Sequence, residues 1–294
     1  MTLKTSGPFF ETGNLETFEH ATCHDYVACD VTAAYQSPGS TTDGNPAKVK
    51  EASRQLVFVR PEIVIVFDRV ESLDASYQKR FLLHASGTGV VPVVSGSSFT
   101  IDNNGGRLLG QTLLPAGAAV NLVQNFSIAG TAYPPDLSGL PGEPEVGGNR
   151  VEVVPAAPAL RDYFLHVFDA TDPSKSTLDA SVVDTADTST ATVVDGPNTY
   201  VVSFAKTGAL GGHITVTGTV SCDQDLGGST SSGTGGGGAG GSPGSGGGGA
   251  SGSPTAKGGC SCRTAGGEGS TAGIPMLLSL LALAGRRKAR PVIR

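Results

Sequence analysis

The sequence predicts an all-β fold, an antiparallel multi-stranded β-sandwich, and three observations carry that prediction. The first is the stretch 52–84, ASRQLVFVRPEIVIVFDRVESLDASYQKRFLLH, which reads as three consecutive strands. Its centre, Ile63-Val64-Ile65-Val66-Phe67, is too short to span a membrane, and its β-branched content suits a strand covered on both faces. The second is DYFLHVFD at 162–169, where Tyr163, Leu165 and Val167 share one face and Phe164, His166 and Phe168 the other. Both faces are largely apolar, so this strand too is interior. The third is that no stretch before residue 270 shows sustained helical periodicity.

In chain order, residues 1–27 are polar with scattered aromatics and predict one or two edge strands or an ordered arm. Residues 26–35 alternate loosely and predict a strand; QSPGSTTDGNP at 36–46 predicts a loop. Within the central stretch the strands fall at 55–59, 62–70 and 78–84. Arg60-Pro61 and the polar segment 72–76 break the run, so these strands are expected to turn back as a meander. Strands at 90–94 and 98–102 follow, then Asn103-Asn104-Gly105-Gly106, a tight hairpin signal because Asn and Gly accept positive φ. Strands at 107–114 and 119–126 are separated by Pro115-Ala116-Gly117. Pro134, Pro135, Pro141 and Pro144 make 129–148 a long loop. Residues 150–154 and 162–169 read as the next pair, and 180–183, 190–194 and 199–206 as a regular set of short strands. Residues 213–220 alternate, with Ile214, Val216 and Val220 inward and His213, Thr215, Thr217 and Thr219 outward.

The folded body is expected over 1–224, followed by a disordered Gly/Ser-rich linker over 225–259 that cannot bury a core. As a random coil such a tether has an end-to-end distance of roughly 30 Å. Of the formal net charge of −6, five positive charges sit in the last nine residues, which leaves −11 on the rest. An acidic body repels nucleic acid and acidic polysaccharide at long range, so no nucleic-acid partner is expected. The five cysteines, Cys23, Cys29, Cys222, Cys260 and Cys262, fit no zinc spacing. Cys23 and Cys29 are read either as a pair in an oxidising compartment or as two small buried side chains.

Four segments carry a resemblance: ACDVTAAY at 28–35, VFDRV at 66–70 with YQKRFLLH at 77–84, GGRLLGQTLLP at 105–115 and NRVEVVPAAPALRDYFLHVF at 149–168. Their order and sequence resemble the C-terminal β-domain of heparinase II/III polysaccharide lyases. The resemblance implies β-elimination of uronic-acid glycans, a chemistry needing a Tyr or His base and a group that neutralises the uronate carboxylate. In that family the base and most binding groups lie on an α-helical toroid, and zinc-binding His and Asp sit at the start of the β-domain. Both lie upstream of the first matching segment. The chain is therefore read as the β-sandwich portion of such a lyase, with no catalytic residue and no cofactor of its own. A completed protein would act on acidic polysaccharide. The alternative reading is a non-catalytic carbohydrate-binding or adhesive module of the cell surface.

The local candidate for metal chemistry is His20-Ala21-Thr22-Cys23-His24-Asp25, with His20 and His24 as the weak ligand pair. His84 and His166 are read as structural histidines and His213 as a solvated edge residue. Asp68, Arg69 and Asp30 are read as buried pairs that fix strand register.

The tail 260–294 holds Cys260 and Cys262, the apolar run 274–284, and a basic end with Arg286 and Arg287. The order of Cys, short apolar helix and Arg-rich stop resembles C-terminal sorting signals of myxobacterial surface proteins. It implies export, transient retention in the inner membrane by the helix, processing near Cys260 or Cys262 by sorting machinery, and display on the cell surface. Residues 1–14 show no apolar signal-peptide core, so the expectation is the downstream piece of a longer exported protein.

Overall fold

Alternate side chains of a strand point to opposite faces, and here the two apolar faces of the central strands demand a layer on each side. The computed structural model describes residues 13–36, 47–86, 89–125, 127–128, 131–132 and 146–228. The first half contains β1 (Asn14–His20), β2 (His24–Asp30), the short helix α1 (Thr32–Gln36), β3 (Val49–Val59), β4 (Ile63–Ser72), β5 (Phe81–Ser86), β6 (Val93–Ser95), β7 (Ser98–Asn103) and β8 (Gly106–Leu114). Next come β9 (Ala119–Gln124), β10 (Ser127–Ile128), β11 (Thr131–Ala132), β12 (Val146–Val154) and β13 (Arg161–Thr171). The last five strands are β14 (Asp179–Asp184), β15 (Thr188–Asp195), β16 (Asn198–Ala205), β17 (Gly212–Thr217) and β18 (Cys222–Leu226).

An eight-stranded sheet of order β1-β2-β3-β4-β13-β8-β7-β6 forms the middle layer. On one face, Ile63, Ile65, Phe67, Leu165 and Val167 pack against Ala191, Val193, Val202, Phe204, Ile214 and Val216 of the sheet β14-β15-β16-β17-β18. On the other, Val66, Phe164 and Phe168 pack against Phe81, Leu83, Val151 and Val153 of the sheet β5-β12-β9. Each such Val, Leu, Ile or Phe side chain, fully buried, contributes about 1.5–3 kcal/mol. β10 and β11 form a separate short hairpin. Every strand pair is antiparallel, as the sequence predicts. The hairpin at 103–106 also forms as predicted, with Asn104 at φ 50° and Gly105 at φ 82°.

Several expectations need correction. The three strands of 52–84 are not a meander: β3 and β4 pair, but β5 leaves for the other layer and pairs with β12. The free edge of β4 belongs instead to β13, in register over nine residues from Arg161↔Glu71 to Asp169↔Ile63. For the same reason 150–154 and 162–169 do not pair with each other; β12 and β13 lie in different layers. The strand expected over 26–35 stops at Asp30, whose Oδ1 accepts the Thr32 amide 2.9 Å away and opens α1. Val220 is not inward; it lies beyond β17 and is half exposed. β18 was not anticipated, and it carries the chain past residue 224 to bury Leu226. Cys23 does not pair with Cys29 but with Cys222, 199 residues away, which joins the start of β2 to β18. Cys29 carries no disulfide.

Most of the expected loop at 129–148, the linker from 229 onward and the tail lie outside the described residues. No helix among the described residues is long and apolar enough to cross a membrane.

Candidate functional site

The residues of the four resembling segments meet at the seams between layers. Arg54 of β3 grips Asp68 of β4 with two parallel hydrogen bonds, Nε to Oδ1 at 2.7 Å and Nη2 to Oδ2 at 2.6 Å. The same guanidinium lies over the Phe81 ring at 5.3 Å, so the pair also braces β5. Arg69 faces the opposite way and is 2% exposed. Its Nε donates to the Ala205 carbonyl at 2.9 Å, Nη1 to Gly208 at 2.8 Å, and Nη2 to Ala205 at 2.6 Å and Ala209 at 3.0 Å. One side chain of the middle sheet thereby holds the end of β16 and the loop after it. Lys79 bridges the two inter-layer connections by donating to Asp162 at 3.0 Å, Ser72 at 3.2 Å and the Ala159 carbonyl. Asp68 and Arg69 are buried ionic groups as expected, but they pair with Arg54 and with backbone carbonyls rather than with Asp30.

The histidines fall into two kinds. His166 is fully buried, its ring tilted against Phe81 with the centroids 3.9 Å apart, and hydrogen-bonded to Thr112 Oγ1 at 3.2 Å. Burial pushes its pKa down to about 3, so it stays neutral near neutral pH and cannot act as a general base matched to that range. His84, on β5, is likewise lowered by burial and by Arg150 beside it, against Glu152. His213 is not the edge residue expected: it lies on β17, one strand in from the edge strand β18, whose Asp225 meets Nδ1 at 2.9 Å and whose Asp223 meets Nε2 at 2.5 Å.

The sequence placed His20 and His24 in one metal pair; the structure separates them. His20 is exposed and bonded through Nδ1 to Asp25 at 2.6 Å, with Arg60 completing the group. His24 is buried against Cys23, with Nδ1 3.2 Å from Sγ. The turn between β1 and β2 sends the two rings to different surroundings. Among the described residues, Cys23, His24 and Cys222 are the one group of His, Cys, Asp and Glu ligand atoms close enough to share an ion. Two of the three are consumed by the disulfide. This cluster therefore does not fit zinc as it stands. Cys260, Cys262, Arg286 and Arg287 lie outside the described residues.

A groove of about 440 Å³ opens where β1, β2 and β3 run past the loop after β16. Asp30, Ser53 and Arg69 stand side by side across β2, β3 and β4, on the face turned to the five-stranded sheet. Glu16, Thr17 and Glu51 complete that wall, and Gly208, Ala209, Leu210 and Gly227 form the opposite one. Two bulges shape it. Glu16 is the extra residue between the paired Leu15 and Thr17, so adjacent residues both line the groove, which a regular strand forbids. Lys50 is the extra residue before Glu51. Gly227, at φ 74°, lets the backbone pass where a Cβ would lie 2.7 Å from the Leu210 carbonyl. Ser53 Oγ and Gln55 Nε2 are buried polar atoms with no hydrogen-bond partner among the described residues, although Gln55 Oε1 accepts from Tyr26 at 2.6 Å. Three carboxylates face one guanidinium in this lining. Sequence reasoning did not single out Glu16, Glu51 or Ser53; bulges and a distant loop bring them together, and neither leaves a local signature.

No family model matches the sequence, and no curated protein matches it. Among solved structures the chain is similar to heparan sulfate lyase HepC from Pedobacter heparinus, at 12% identity and a TM-score of 0.44, over 67% of this chain and 28% of that one. It is similar also to heparinase III, at 10% identity and a TM-score of 0.43, over 66% of this chain and 27% of that one. The chain thus matches little more than a quarter of the length of these lyases.

Proposed function

We propose that this chain is the β-scaffold of a heparinase II/III-type polysaccharide lyase and holds no base for the elimination step. The observation that carries the reading is where the ionisable residues of the four segments go. Asp68 is taken by Arg54, Arg69 by three carbonyls, Lys79 by Asp162, and His166 is sealed in an aromatic layer. Groups committed in this way position strands; of them only Arg69 reaches the groove, and no tyrosine or histidine stands in its lining to remove a uronate proton. The groove, with more carboxylates than cations, opposes an anionic chain. In this reading, acidic polysaccharide is the substrate of the protein that the scaffold completes, and a further region supplies the base. The test is to incubate the purified chain with heparan sulfate and alginate and follow unsaturated-uronide absorbance. The expected result is no rise; turnover that survives repurification would overturn the assignment.

The tail extends the proposal to display at the cell surface, supported by the order of Cys260, Cys262, the apolar run and Arg286-Arg287. Deleting 274–294 is expected to release the exported protein into the medium. Unchanged cell association would remove that part. The adhesive alternative requires retention of the intact chain on immobilised polysaccharide, and its absence would discard it.

A further inference from the structure

From the groove beside Arg69 we infer a binding site for a hydroxylated organic ammonium ion, of about one to two sugar rings in size. A volume of 440 Å³ lies within the range of small-molecule sites. Its charge favours a cation: Glu16, Asp30 and Glu51 oppose only Arg69, whose Nη1 lies 3.6 Å from Glu51. Glu51 is also 3.4 Å from Arg161, so its charge is met within the protein. Among the described residues, Glu16 and Asp30 have no cationic side chain paired with them, and these two are the ammonium acceptors.

A bare metal ion does not fit. The oxygens of the three carboxylates do not all lie within 4.8 Å of one another, so a single ion cannot gather them. The ligand must itself span the groove. Ser53 then specifies a hydroxyl. It is 5% exposed, lines the groove, and its Oγ has no partner among the described residues. A buried polar atom left in this state is costly unless something satisfies it. A ligand hydroxyl both donates and accepts, so in this site it would be the group that satisfies Oγ from the groove that Ser53 lines. The bulge that turns Glu16 inward is a second sign of a shaped site, since bulges re-aim side chains at the edges of sheets. The inference is independent of the lyase assignment, because it uses none of the residues that join the layers except Arg69 as a wall.

The test is calorimetric titration of the full chain at low salt with glucosamine, glucose and spermidine as probes. Glucosamine is expected to bind saturably, with glucose and spermidine each about tenfold weaker or more, one lacking the charge and the other the hydroxyls. Glu16→Gln, at an exposed edge position, is expected to weaken glucosamine about tenfold without changing the thermal midpoint. Ser53→Ala is expected to weaken it several-fold while leaving the midpoint unchanged or higher, because it deletes an unsatisfied buried oxygen. The inference is overturned if glucosamine fails to bind, if glucose or spermidine binds equally well, or if both variants bind like the parent.

Discussion

The two faces of the eight-stranded sheet are closed by different physics. Toward β5-β12-β9 the seam is aromatic: Phe81, Phe164 and Phe168 surround a neutral His166, Phe99 packs on Phe168, and a methyl on Gly110 would overlap the Phe99 ring. Toward the five-stranded sheet the core is equally apolar, but its two ends are polar and cross-linked. At the Ile63 end of β4 stand the Cys23–Cys222 bond and Lys175, which meets Asp169 at 2.6 Å and Asp195 at 2.7 Å. At the Ser72 end stands Arg69 with its carbonyls, and beyond it the groove. The groove lies on this second seam, where a few strong polar contacts leave space between them.

The contrast can be broken first at Arg69. Arg69→Met keeps most of the volume but removes every hydrogen bond to Ala205, Gly208 and Ala209. Leaving buried acceptors unpaired is expected to cost about 3–5 kcal/mol, measured as a shift of the urea midpoint at constant m-value. A cost under about 1 kcal/mol would mean that the apolar core alone holds this seam.

The aromatic seam should answer to acid instead. His166 has a folded pKa near 3 against an ordinary 6.5, so between those values the unfolded chain binds the proton and the folded one does not. Stability therefore rises with pH through this window and is lost as pH falls below about 6.5, by a few kcal/mol in all. His166→Phe is expected to flatten that slope, and an unchanged slope between pH 6 and 4 would place the acid sensitivity elsewhere. Smaller again is the disulfide: the double variant Cys23→Ala, Cys222→Ala is expected to lose about 2–4 kcal/mol by thermal unfolding without change of fold. If reduction of the parent protein leaves its midpoint where it was, this covalent tie does not support the seam.

How much of this was legible follows from what a period of two can encode. The faces of 162–169 and the inward pair Ile214 and Val216 were readable because alternation reports which way a side chain points. It does not report which strand lies alongside, so the sequence suggests β5 next to β4 although β13 occupies that edge. α1 spans five residues, too few to show a helical period, and β18 is CDQDL, mostly polar with a single buried anchor. Cys222 was invisible as the partner of Cys23 because proximity across 199 residues is a product of topology. The groove was least legible, since its carboxylates come from β1, β2 and β3, and two bulges set their aim.

The smallest effect gives the sharpest contrast, because its sign is reversed. His213 stands on the outer face of the five-stranded sheet, on β17, between two carboxylates of the edge strand β18. Hydrogen bonds from its ring to Asp225 and then Asp223 raise its pKa above the ordinary 6.5. Its stabilising contribution is thus complete below about 6.5 and is lost as pH rises through the folded value, opposite to that of His166. With a side chain 43% exposed, solvent and salt screen the pair, and the effect should stay below about 1 kcal/mol. His213→Asn is expected to destabilise the protein slightly at pH 6 in low salt, with the gap closing at pH 9 and again in high salt. A gap that persists at pH 9 would show that the ring acts by packing rather than by charge, and the opposition between a buried neutral histidine and an exposed cationic one would no longer hold.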